Sequence, residues 1–132
     1  MNGEMPGLAD LGWAVVHVSD VAKAHVDALE AEGVVGQRYA CAIEHASMAD
    51  VAEILREEYK GSNYKIPKRK IPGFVLRIGA LFDRTLSLAV GDLGLRQDIS
   101  SKKIRSDLNF NPKSLNQMVI DMAESMIKFK VV

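Results

Sequence analysis

The segment from Trp13 to Val18 constrains the fold of this 132-residue chain more than any other stretch. It is rich in β-branched residues and follows Gly12, which together predict a buried strand. Ser19 and Asp20 come next, and either side chain can accept hydrogen bonds from the free amides of a helix's first turn. A strand that leads directly into a capped helix is the beginning of an α/β unit, so we expect an α/β fold.

Most of the remaining chain is predicted to be helical, because apolar residues recur at helical spacing along much of it. The stripe expected to be buried on the first helix comprises Val21, Ala22, His25, Val26 and Leu29. About five helices are predicted, beginning at Ser19 or Asp20, at Ser47, at Gly73, at Ser100 or Ser101, and at Ser114. The third is the longest and runs to about Ala89. A few short strands, including residues 38–42 and 64–66, complete the predicted fold.

The composition argues against a membrane-spanning protein and against one held together by disulfides. Hydrophobic residues make up 48% of the chain, yet no apolar run approaches the ~18 residues that a membrane-spanning helix needs. The single cysteine, Cys41, cannot form an internal disulfide, and this is typical of a reducing compartment. Residues 1–58 hold three basic and eleven acidic side chains, whereas residues 59–132 hold fourteen basic and six acidic ones. We expect a single cytoplasmic domain over residues 1–132, with no membrane partner.

The sequence lacks the usual motifs for cofactor binding and catalysis. It has no G-x-G pair and no G-x-x-x-x-G-K loop, so no residue is predicted to bind a nucleotide cofactor. Tyr64 and Lys68 have the spacing of a catalytic tyrosine–lysine pair, but Pro67 lies between them and is incompatible with a shared helix face. The spacing of the three histidines, His17, His25 and His45, matches no metal-ligand pattern. We therefore predict no catalytic and no metal-binding residue in this chain.

A basic cluster raises an alternative function. Its members are Lys60, Lys65, Lys68, Arg69 and Lys70, with Tyr59 and Tyr64 interleaved. Proteins that bind single-stranded nucleic acid combine cations and aromatic rings in this way. A solvated turn and strand edge accounts for the same residues more simply. We therefore expect no nucleic-acid partner, and nucleic-acid binding through residues 59–70 stays an alternative.

Several segments follow one another in an order that chance rarely produces. They are Val15–His25, Gly36–Ala42, Ser47–Tyr59, Tyr64–Pro67, Asp98–Lys103 and Leu108–Pro112. Together they resemble the C-terminal part of an extended short-chain dehydrogenase/reductase, in the NAD-dependent epimerase/dehydratase superfamily. The resemblance is greatest to the dihydroflavonol 4-reductase and aldehyde reductase branch, with its "VHVxDVAxAH", "GxRYICS", "YxIP" and "SSKK…LGFxP" segments. Asn109 stands where the last of these patterns has glycine.

The resemblance implies a longer parent protein. Members of this family carry, upstream of the matching region, a Rossmann half with a glycine-rich loop, a catalytic Ser or Thr and a Tyr-x-x-x-Lys pair. These upstream features are absent from this chain, and its Tyr64 and Lys68 belong to the downstream matching region instead. The resemblance therefore implies the substrate-binding part of an NADP-dependent reductase of aldehydes and ketones, without catalysis of its own. Its implied partners are the N-terminal Rossmann half and a small carbonyl substrate.

The same resemblance implies site residues and leaves alternatives open. Met5, Pro6, Leu8 and Trp13 would border the substrate pocket, residues 73–89 would help to cover it, and Asp20 would be a structural cap. One alternative is a stand-alone protein-interaction or assembly module without catalysis. Another is the C-terminal domain of a nucleotide-sugar epimerase or dehydratase. A homodimer also stays open, because an unpaired strand edge can pair with another copy.

Overall fold

The computed structural model describes residues 6–132, and it is a helix-rich α/β fold as predicted. It contains a two-stranded sheet and six helices in the described part of the chain. In chain order the elements are β1 (Gly12–Val15), α1 (Val18–Glu30), β2 (Glu44–Ser47), α2 (Met48–Glu58), α3 (Gly73–Gly79), α4 (Arg84–Val90), α5 (Lys102–Asp107) and α6 (Leu115–Lys128). None of the helices in the described range is long and apolar enough to cross a bilayer.

The sheet differs from the predicted one in both strands. The buried strand predicted over Trp13–Val18 instead runs from Gly12 to Val15, because α1 begins at Val18, and it is only partly buried, since Trp13 is 46% exposed. β1 pairs antiparallel with β2, which places Trp13 opposite Ala46. The strand predicted over residues 38–42 is wrong, because no strand forms there and pairing begins only at Glu44. A strand needs a neighbour for its backbone groups. In the described part of the chain, β2 takes the place beside β1 and no strand lies beside residues 38–42.

The first helix begins one residue earlier than Ser19, and His17 is its N-cap. The Ser19 amide donates to Nδ1 of His17 over 3.1 Å, so an imidazole performs the role predicted for Ser19 or Asp20. The Asp20 carboxylate instead accepts a hydrogen bond from the Lys113 amide, 2.9 Å away. Asp20 therefore connects α1 to the segment before α6 rather than capping its own helix.

The predicted buried stripe of α1 is wrong. Val26 and Leu29 are 54% and 87% exposed, and His25 is exposed with its Nδ1 2.8 Å from the Val21 carbonyl oxygen. Ala24 is the buried residue of this helix. It packs in a cluster with Ile104, Leu108 and Phe110. The side of α1 that carries Ala24 thus faces α5, and the larger aliphatic side chains of α1 face outward.

The second and last helices form the other part of the core, and both begin as predicted. The Ser47 hydroxyl accepts from the Asp50 amide, and the Asp50 carboxylate accepts in return from the Ser47 amide, which completes a capping box. Ser114 caps α6 by accepting from the Gln117 amide. Between the two helices, Leu55 packs with Val119 and Ala123, and all three are buried.

The long helix predicted from Gly73 to Ala89 is two helices. α3 ends at Gly79, where glycine's low helix propensity favours a break. The chain then reverses, and α4 packs against α3. A Cβ atom at Gly79 would lie 3.0 Å from Cδ1 of Leu86, so glycine also permits this close approach.

Candidate functional site

An apolar pocket of about 260 Å³ lies between β1, α2 and the extended segment after α2. It is lined by Leu8, Trp13, Met48, Val51, Ala52, Leu55, Ile66 and Pro67. None of these side chains is charged, and only the Trp13 indole carries a polar side-chain hydrogen. Such a lining suits an apolar ligand body, because polar ligand groups would lose their hydration without gaining hydrogen bonds there.

One face of α2 forms a wall of this pocket. Met48, Val51, Ala52 and Leu55 are spaced i, i+3, i+4 and i+7, which places them in one stripe along the helix. Ala52 and Leu55 are buried, and the other two are half-buried. Because the alanine side chain ends at Cβ, the wall projects less at Ala52 than at Met48, Val51 and Leu55.

The opposite wall comes from the N-terminal segment and β1. The Leu8 amide donates to the Arg69 carbonyl, and the Ile71 amide donates to the Leu8 carbonyl, both over 2.8 Å. These two hydrogen bonds hold Leu8 beside the 69–71 segment, and its side chain is 5% exposed. Trp13 stands on β1 and is 46% exposed, so it is accessible to solvent at the pocket.

Glycine at position 12 allows β1 to approach β2 closely beside the pocket. A Cβ atom at Gly12 would lie 2.8 Å from the Ala46 carbonyl oxygen and would collide with the His45 imidazole. That imidazole is held in place, since its Nδ1 accepts a hydrogen bond from the Gln97 amide over 3.3 Å. The position of Trp13, the next residue along β1, therefore depends on Gly12 being glycine.

The predicted site residues fall into three groups. Leu8 and Trp13 line the apolar pocket together, whereas Pro6 is exposed and is not among the lining residues. Met5 lies outside the described residues. Within the described range, no residue of α3 or α4 lines this pocket, although residues 73–89 were expected to help cover it. The substrate-binding role of the predicted residues stays a prediction.

Sequence reasoning missed most of the pocket. The lining residues that it did not name as site residues are Met48, Val51, Ala52, Leu55, Ile66 and Pro67. Val51 and Leu55 are four residues apart, and such helical spacing by itself indicates only a buried face packed against protein. A pocket wall and a core face have the same periodicity, so only the arrangement of neighbouring segments distinguishes them.

A second, polar groove of about 500 Å³ adjoins the apolar pocket at Ile66, which lines both. Tyr59 and Tyr64 pack edge to face in its wall, with ring centroids 5.4 Å apart. Burial raises the pKa of Tyr59, and the nearby carboxylates of Glu124 and Glu58 raise it further. The groove lining combines basic and acidic side chains, namely Arg56, Lys60 and Lys68 with Glu53 and Glu57. This mixture does not favour a polyanion such as nucleic acid.

The histidines do not converge, and His17 belongs to a polar cluster between α1 and α6. Because His17 Nδ1 accepts from the Ser19 amide, Nε2 carries the ring proton and faces Asp121 Oδ2, 3.5 Å away. Asp121 also accepts from Lys113 Nζ over 2.6 Å and from Gln117 Nε2 over 2.7 Å. These two hydrogen bonds, that of Lys113 first, lower the pKa of Asp121. Residues 6–132 contain no group of three His, Cys, Asp or Glu side chains that could hold a metal ion.

No family model matches the chain. The NADPH-dependent methylglyoxal reductase GRE2 of Saccharomyces cerevisiae is 28% identical over 123 residues, which are 93% of this chain and 32% of that protein. The chain thus spans about a third of the length of the curated relative that it matches.

Two solved structures share the fold over nearly the whole chain. The crystal structure of gox2253 has a TM-score of 0.72 and 25% identity, covering 97% of this chain and 41% of that one. The crystal structure of yeast methylglyoxal/isovaleraldehyde reductase Gre2 complexed with NADPH has a TM-score of 0.68 and 24% identity, covering 100% of this chain and 38% of that one. The predicted resemblance to the C-terminal part of an extended short-chain reductase is confirmed.

Proposed function

We propose that this chain, which resembles the C-terminal part of an extended short-chain reductase, is the substrate-binding part of an NADPH-dependent reductase of small aldehydes and ketones. The apolar pocket carries this proposal. It joins two residues that the family resemblance assigns to the substrate, Leu8 and Trp13, with one face of α2. We expect the whole protein to act in the cytoplasm.

The lining of the pocket favours an apolar carbonyl compound. The proteins similar to this chain are named for methylglyoxal and isovaleraldehyde. Isovaleraldehyde has a branched hydrocarbon body, whereas methylglyoxal has two adjacent carbonyl groups on three carbons. Burying hydrocarbon in an apolar pocket lowers the free energy of binding, whereas burying a carbonyl group there without a hydrogen-bond donor raises it. We infer that the parent prefers the branched aldehyde.

In the proposed reaction, this chain binds the hydrocarbon part of the substrate and excludes water from around it. NADPH, when bound by the parent protein, supplies the hydride. The glycine-rich loop that would hold its pyrophosphate is absent from this sequence. We therefore assign no cofactor-binding or catalytic residue to this chain, and derive no chemical step within it.

Two features support a Rossmann half as the partner of this chain. The outward side of α1 carries Val18, Val26 and Leu29, which are 77%, 54% and 87% exposed. Residues 38–42 have the composition of a strand, yet form none in the described part of the chain. A sheet supplied by a Rossmann half would bury the exposed side of α1 and would pair with residues 38–42.

Blotting source cells with an antibody to this chain tests whether such a partner exists. A band well above 14.5 kDa supports the partner, and a band at 14.5 kDa favours a stand-alone module.

Fluorescence of Trp13 tests the pocket directly, because it is the only tryptophan in the chain. We expect a saturable change in its emission with isovaleramide, an unreactive analogue of the branched aldehyde. The variant Ala52→Phe should fill the pocket and remove the response. Ala22→Phe adds the same ring at an exposed position of α1 and should keep it. Circular dichroism checks that both variants fold, and the absence of a saturable change in the unmodified chain would contradict the proposal.

A further inference from the structure

Residues 68–90 form a unit that we call the basic–apolar arm, which comprises α3, α4 and the segment before them. Its two helices pack mainly against each other rather than against the rest of the fold. None of the side chains described in this arm is buried. The arm therefore exposes surface that the two core clusters do not cover.

Much of the exposed surface of the arm is apolar. Six large side chains are exposed: Phe74 (65%), Val75 (45%), Ile78 (56%), Leu81 (79%), Phe82 (88%) and Leu88 (77%). Phe74 and Ile78 are four residues apart and share a face of α3. Leu81 and Phe82 lie in the turn between α3 and α4, where they are the most exposed of the six.

The same arm is strongly basic. It contains five cations, Lys68, Arg69, Lys70, Arg77 and Arg84, and a single acidic residue, Asp83, which gives a formal charge of five minus one, or +4. All five cations are exposed. Among them, Lys70 is near enough to Asp50 to help the hydrogen bonds from Ser47 lower the pKa of that carboxyl.

We propose that the basic–apolar arm docks on an anionic phospholipid surface. Such a surface accepts both features of the arm, since its headgroups attract cations and its acyl boundary takes up apolar side chains. The tip formed by Leu81 and Phe82 would enter that boundary, with Arg77 and Arg84 at headgroup level. Docking of this kind needs no membrane-spanning helix, so it replaces the expectation of no membrane partner, which rested on the lack of a long apolar run.

A second copy of the chain is a poorer occupant of the arm. In a two-fold symmetric dimer the same patch lies on both sides of the interface. The arm of one copy would then meet the arm of the other, and each carries a charge of +4. Like charges brought together in this way oppose association. An anionic lipid surface complements the charge of the arm.

Co-sedimentation of the purified chain with vesicles tests the proposal. We expect binding to vesicles that combine phosphatidylserine with phosphatidylcholine, and no binding to phosphatidylcholine alone. Added salt should weaken the binding. Arg69→Gln or Arg77→Gln should each weaken it about fivefold, and the double variant Leu81→Ser, Phe82→Ser about tenfold or more. The affected positions are exposed, so these variants are expected to fold.

Two matched variants separate the arm from the rest of the surface. Val35→Ser removes a 93% exposed valine from the acidic half of the chain, and Lys102→Gln removes an exposed cation outside the arm. Both should bind vesicles like the unmodified chain. The proposal is overturned if the chain binds neither vesicle, or binds both equally. It is also overturned if the arm variants bind normally, or if they instead dissociate an oligomer seen by analytical ultracentrifugation.

Discussion

The carboxylate of Asp20 accepts a hydrogen bond from the backbone amide of Lys113 over 2.9 Å, although 93 positions separate the two residues in sequence. This hydrogen bond joins the first turn of α1 to the segment that leads into α6. Since Lys113 also donates through its side chain to Asp121, this one residue is hydrogen-bonded to both α1 and α6. The N-terminal and C-terminal helices are thereby held together.

Replacing Asp20 by alanine should destabilise the chain by about 1–2 kcal/mol, because the Lys113 amide loses a charged acceptor in a half-buried site. Asp20→Asn keeps a side-chain oxygen that can accept this hydrogen bond, so it should retain most of the stability. Urea unfolding, followed by circular dichroism, measures both. Equal stability of the alanine and aspartate chains would show that the hydrogen bond contributes nothing.

Stability should fall in acid partly through Asp121. The hydrogen bond from Lys113, followed by that from Gln117, holds the pKa of Asp121 below its ordinary value of 3.8. A carboxyl group with a lowered folded pKa stabilises the fold above its ordinary pKa, and loses that contribution as pH falls through the folded value. Asp121→Asn should therefore reduce the dependence of the urea midpoint on pH below about 4. Glu30→Gln, at an exposed position of α1, is the control and should leave that dependence unchanged.

Removing the capping hydroxyl of Ser47 should cost about 1 kcal/mol of stability. Ser47→Ala removes the acceptor of the Asp50 amide, and the carboxylate of Asp50 loses the hydroxyl that donates to it. Ser125→Ala, at an exposed position within α6, removes a hydroxyl that caps no helix and should change stability little. The two variants are compared by thermal unfolding, and equal melting temperatures would contradict the role of the capping box.

Adding a methyl group at Gly12 should distort the junction between β1 and β2. Its Cβ would lie 2.8 Å from the Ala46 carbonyl oxygen and would overlap the His45 ring, so Gly12→Ala should cost about 1–3 kcal/mol. The emission maximum of Trp13 should shift, since its strand must move. Gly91→Ala is the matched control, because a Cβ there meets no atom within 4 Å in the described structure. A Gly12→Ala chain as stable as the Gly91→Ala chain would exclude a close strand contact.

Local patterns predicted those parts of the fold that depend on neighbours in sequence. The capping residues Ser47 and Ser114 begin α2 and α6 as expected, because a cap needs only the amides of the next turn. The ordered segments also predicted the family resemblance, which the comparisons confirm. The predicted third helix is too long, because apolar periodicity does not distinguish a continuous helix from two helices joined by a reversal of the chain after Gly79.

The tertiary structure decided which partner each segment met. Residues 38–42 have strand composition but lack a neighbouring strand in the described part of the chain, while β2 pairs with β1. On α1, the side that carries Ala24 packs against Ile104, so the aliphatic side predicted to be buried faces outward. Leu8 and Trp13 meet Ala52 around one pocket although Ala52 lies 39 positions beyond Trp13 in sequence. Periodicity identifies apolar faces, but burial and pocket formation depend on long-range packing, which no local pattern encodes.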